Sequence, residues 1–136
     1  MSQDTIFAPM GALAFLTFFA LALIPVRRFR AGRQGRATAD DFKFGESAAV
    51  PGDVSIPNRN YMNLLEIPVL FYVASLMYFL AGKVDHTMMM IAWAYVALRF
   101  VHSAIHLTYN NVMHRLAPFA LSNFVLMAYW ALFFIR

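Results

Sequence analysis

The chain is 136 residues long, 61% hydrophobic and only 13% charged, where soluble domains carry about 25% charge. This balance excludes an ordinary water-soluble globule and indicates a membrane protein. Zero cysteines exclude disulfides, thiolate metal sites and a thiol nucleophile together. The net charge of +4 is confined largely to one segment, so it is not a nucleic-acid signal.

Residues 6–26 form an uncharged run close to the ~20 residues that cross ~30 Å of hydrocarbon. The run is too long for a signal-peptide core, and Pro25-Val26-Arg27-Arg28 offers no small-residue cleavage site, so it is expected to remain in place. RRFRAGRQGR, residues 27–36, follows at once and holds the basic excess. Positive charge beside a span marks the cytoplasmic side. The N-terminus is therefore expected outside and the 27–58 loop in the cytoplasm, in a membrane of the bacterial inner type. That loop is longer than the ~2–8 residues usual between bundle helices. It reads as a strap on the anionic leaflet.

Residues 67–82 and 87–98 are uncharged too, but reach full span length only when extended through polar residues towards Arg59 and Asn110. Residues 116–135 supply the last span. The expectation is an all-α, integral membrane four-helix bundle forming a single domain over 1–136.

Arg59, Asn63 and Glu66 stand at i, i+4 and i+7 and so form one helical stripe, and Arg99, His102, His106 and Asn110 form another. Folding residues 59–110 into an antiparallel hairpin about Val84 places Glu66 level with His102, Asn63 near His106 and Arg59 near Asn110. Arg27 and Arg115 fall at the same depth on the first and last helices. Charged groups at mid-membrane cost ~2.5–3.5 kcal/mol each on insertion scales and usually mark function. Excess arginine in a partly dry site suits an anionic ligand, since guanidinium matches carboxylate geometry. Glu66 is then free either to pair with an arginine, Arg99 or Arg59, or to receive a ligand's ammonium group. A purely structural ion-pair network is the plainer alternative. His102 and His106 have metal-ligand spacing, but no H-E-x-x-H pattern is present and the flanking arginines repel a cation, so no metal site is expected.

These residues resemble the MAPEG family, the membrane-associated proteins of eicosanoid and glutathione metabolism. The likeness covers nearly the whole chain. It rests on Arg27-Arg28 ending the first span, on R-x-x-x-N-x-x-E at Arg59, Asn63 and Glu66 followed by Pro68, on Arg99, and on RLAP at residues 115–118. The resemblance implies a homotrimer with glutathione bound between neighbouring subunits. Arg59, Asn63, Glu66 and Arg99 would then contribute to its binding, Arg27 and Arg28 would come from the adjacent subunit, and Arg115 would hold the sulfur as thiolate. Departures are visible as well. His106 stands where relatives usually have tyrosine, and Leu116 and Phe119 replace the serine and tyrosine of prostaglandin E synthase. Transferase or peroxidase chemistry on lipophilic electrophiles is the expectation, with His102 or His106 assisting proton transfer. The competing reading is a non-catalytic protein of the same fold that binds another small anion or lipid.

Overall fold

The computed structural model describes residues 1–136 and contains only helices, turns and connecting segments. Five helices make four spans: α1 (Phe7–Arg33), α2 (Gly52–Leu65) with α3 (Pro68–Leu80), α4 (His86–Leu107) and α5 (Val112–Ile135). All four are long and apolar enough to cross a membrane. Lipid leaves no partner for an open backbone, and the helix satisfies its own.

Local chemistry sets the helix ends. The Asp85 side chain accepts the Met88 N–H at 2.9 Å to open α4, and the Asn111 side chain accepts the His114 N–H at 3.0 Å to open α5. Gly82, at φ 65°, closes the turn after α3 where a side chain would be strained. At this end Gln3 exchanges two hydrogen bonds with Val84, of 3.1 and 2.9 Å, and Arg136 pairs with Asp85 at 2.8 Å. The N-terminus, the α3–α4 turn and residue 136 therefore share one end, and the long loop and the α4–α5 turn share the other. The alternation matches that of the sequence reading.

Between the ends the core is aromatic. Phe71 stacks on Tyr95 at 4.9 Å and on Tyr129 at 5.9 Å, tying α3, α4 and α5 together. Tyr78 donates to the Tyr129 carbonyl at 2.7 Å, and the Ser75 and Tyr129 hydroxyls meet at 3.2 Å. Such bonds average ~0.6 kcal/mol in bilayers, so they specify register more than they add stability. Phe15, Phe18, Phe124 and Phe134 point outward from the bundle, as lipid contact requires.

The structure differs from the sequence reading in three places. The second span is not one rod: Pro68 lacks an N–H and opens α3 at its first position, and the distortion lands on Glu66 (φ −87°, ψ −101°). The first helix continues to Arg33, and the connection that follows is folded, with Arg36 clasping both carboxylate oxygens of Asp53 at 3.0 and 3.1 Å. In that connection the Thr38 N–H, and then the Ser47 hydroxyl, hold the Asp41 carboxyl below its usual range. Lastly, α4 ends at Leu107, so Asn110 is not on its stripe. It sits in the turn at φ 49°, a left-handed conformation that asparagine tolerates.

Candidate functional site

The polar residues gather at the loop end of the bundle, around two concavities that share Asn63. The first, of about 380 Å³, is lined by Glu46, Asn58, Arg59, Met62, Asn63 and Glu66. The second, of about 230 Å³, is lined by Asn63, His102, His106 and Arg115 over an apolar wall of Val112, Leu116 and Phe119. Helices α2, α4 and α5 thus converge as the helical stripes anticipated. The hairpin register is shifted, however: Asn63 bonds to Arg99 and Asn60 to Ser103. The break at Glu66 turns the chain before the two helices can align as a continuous hairpin would.

Arg99 is fully buried. Its Nη2 donates to Asn63 Oδ1 at 2.6 Å, while Nε and Nη1 have no partner. Its guanidinium lies 5.7 Å from the centre of the Phe119 ring. The Tyr95 hydroxyl is also buried without a partner. No carboxylate pairs with Arg99, Arg59 or Arg115, because the three ion pairs of the chain are Arg28–Glu46, Arg36–Asp53 and Arg136–Asp85. A buried cation without a counter-charge is costly, by several kcal/mol.

Helical spacing puts Glu66 within reach of Arg99 or Arg59, either to pair with one of them or to receive a ligand's ammonium group. It forms no ion pair and is open to solvent, because the Pro68 break takes it off the stripe. It nevertheless faces the same concavity as Arg59. Glu46, which lines that concavity and pairs with Arg28 at 3.2 Å, was not found from sequence. It lies far away in the loop with no periodic signal to single it out. The buried Asn60–Ser103 pair was also missed, although an asparagine beside Arg59 within a span was a usable signal.

His102 Nδ1 lies 3.1 Å from the Arg115 carbonyl. A carbonyl only accepts, so Nδ1 carries a proton, and in the neutral ring the buried, unpartnered Nε2 is the nitrogen with the lone pair. The same bond pins the first turn of α5 to α4. The Arg115 side chain donates to Asn110 Oδ1, which aims it from the turn. His106 packs edge-on to His102 with ring centres 5.7 Å apart, and its Nδ1 has no partner. His114 stands apart, against Tyr109.

The α1 arginines do not line either concavity. Arg27 donates to the Asp53 carbonyl at 2.9 Å, and Arg28 lies over the Phe42 ring at 4.4 Å besides pairing with Glu46. Both are held against their own chain.

Arg59, Asn63 and Glu66 about the first concavity and Arg115, His102 and His106 about the second bring cationic, amide and carboxylate groups together at one end of the bundle. No curated protein and no solved structure matches the chain significantly. A family model, that of the MAPEG family, matches residues 6–135. With four apolar spans, polar residues gathered at one end, and a family match over nearly its whole length, the chain is a multi-pass integral membrane protein and belongs to the MAPEG family.

Proposed function

We propose that the protein is a glutathione-dependent transferase or peroxidase acting on lipophilic electrophiles that arrive from the bilayer. The observation that carries this reading is the pair of adjoining concavities that share Asn63, one lined by Arg59 and Glu66 and the other by Arg115, His102 and His106. Glutathione, with two carboxylates, an ammonium group and a thiol, supplies the nucleophile as its thiolate.

Arg59 and Asn63 bind carboxylate in this reading, and Glu66 receives the ammonium group, which their common concavity supports. Arg99 offsets the remaining negative charge from below through Asn63. Arg115, steered by Asn110, puts a cation beside the sulfur and lowers a thiol pKa from ~8.5 towards neutrality. His102 Nε2 is the group free to take the thiol proton, and His106 stands next to it. Phe119 and Leu116 keep this end of the cavity apolar, which strengthens each charge within it.

Family membership supports a homotrimer, in which a neighbouring subunit closes the open concavity around Arg59 and Glu66. The arginines at 27–36 support a cytoplasmic loop and an outside N-terminus in a bacterial-type inner membrane. Thermal unfolding in detergent tests the central claim. Glutathione at 100 times its Kd should add about 2.7 kcal/mol. No shift at millimolar glutathione would leave a non-catalytic anion-binding protein.

A further inference from the structure

α1 has 27 residues, so it is about 40 Å long. The hydrocarbon core takes ~30 Å of that. Its last two turns, which carry Arg27, Arg28, Arg30 and Arg33, must therefore stand at headgroup depth. There the chain folds back, and the short turn Ala39–Phe42 lies against the end of α1, with the Phe42 ring 4.4 Å from the Arg28 guanidinium. Between them lies a third cavity of about 350 Å³, separate from the glutathione site, lined by Arg28, Phe29, Gly32, Arg33, Ala37 and Phe42 among others.

Three features of this cavity point to one kind of occupant. Its walls are largely apolar, and two arginines lie among its lining residues with no acidic residue. Arg28, whose Nη2 pairs with Glu46 at 3.2 Å, keeps its Nε–H without an acceptor, and Arg33, among the lining residues, has no carboxylate partner. Gly32 leaves space: a Cβ built there meets nothing nearer than the Ala37 carbonyl at 4.0 Å. Phe29, 72% exposed, flanks the opening. Water alone does not call for an apolar cleft rimmed by cations. A lipid with a negatively charged phosphodiester does, because its phosphate accepts from the unpaired Arg33 beside Arg28 while the start of its acyl region lies on Phe29, Ala37 and Phe42.

We propose that this cavity is a binding site for one anionic phospholipid of the leaflet on the loop side. Occupancy ties the end of α1 to the folded loop through the lipid. The proposal does not depend on glutathione or on any catalysis.

Native mass spectrometry of the full chain, released from micelles containing phosphatidylglycerol and phosphatidylcholine in equal amounts, tests it. The wild type should retain one phosphatidylglycerol per chain in clear preference to phosphatidylcholine. Arg33→Gln should reduce that preference about fivefold, the usual effect of one cation near an anionic surface. Gly32→Leu keeps every charge but fills the cavity, and should reduce the preference at least as much. Arg30→Gln removes an exposed charge outside the cavity and should leave it nearly unchanged. Thermal unfolding of each variant in zwitterionic detergent confirms that it is folded. An equal loss in Arg30→Gln and Arg33→Gln, or full retention in Gly32→Leu, would mean diffuse surface charge and overturn the site. So would inorganic phosphate displacing the lipid as readily as free phosphatidylglycerol does.

Discussion

Arg99 and Asn63 are bound at 2.6 Å across the α4–α2 interface, and this is the one hydrogen bond that the buried guanidinium makes. The pair joins the helix that presents the histidines to the helix that presents Arg59. Asn63→Ala should cost about 1–3 kcal/mol, the cost of leaving a buried donor unmet, measured by unfolding in detergent. Asn63→Asp should instead hold or raise stability, because it gives Arg99 a counter-charge, and should weaken glutathione binding for the same reason. If the Asn63→Asp variant binds glutathione as well as the wild type does, Arg99 is removed from the ligand-binding argument.

Arg115→Ala separates chemistry from binding. Turnover should fall by roughly 10²–10³-fold, as on removing an oxyanion donor, with a smaller effect on glutathione affinity through Arg59 and Glu66. Ultraviolet absorbance of thiolate on adding glutathione should appear in the wild type well below the free thiol's pKa and be lost in the variant. Equal thiolate signals in the two proteins would reduce Arg115 to a structural role at the start of α5.

At the opposite end of the bundle, Asp85 makes a pH-dependent contribution. The Met88 N–H, and then Arg136, hold its carboxyl below the ordinary range. A depressed folded-state value means that the stabilisation is present above the unfolded pKa of ~3.9 and is lost as pH falls through the folded value. Asp85→Asn keeps a good helix cap but no charge. The gap in melting temperature between wild type and Asp85→Asn should therefore be steady near neutrality and close below about pH 4. A gap that stays constant through acid would assign the whole effect to the cap.

The absence of cysteine makes orientation directly measurable. Phe44, 94% exposed in the loop, and Ser2 at the other end provide two sites for single cysteines. In intact cells a membrane-impermeant maleimide should label Ser2→Cys, and it should label Phe44→Cys only after the membrane is opened. The reverse pattern would invert the topology.

Sequence by itself determined the spans, their alternation and the type of residue at the site. A run of about 20 apolar residues has few fates other than crossing a bilayer, and helical spacing alone puts Arg59 and Asn63 on one face and Arg99, His102 and His106 on another. Tertiary structure decided which of these groups meet. Pro68 could be read as a helix breaker, but only packing shows that the break falls on Glu66, frees it from an internal ion pair and shifts Asn63 onto Arg99. The contribution of Glu46 was likewise beyond sequence spacing, and Asn110, which spacing puts on the α4 stripe, meets Arg115 from the turn instead, because residues in loops carry no period and reach the site only when the chain closes on itself. The proton position on His102 depends on a carbonyl of a different helix, at Arg115. Periodicity is a local property of the backbone, whereas a binding cavity is made where distant segments fail to fill the space between them.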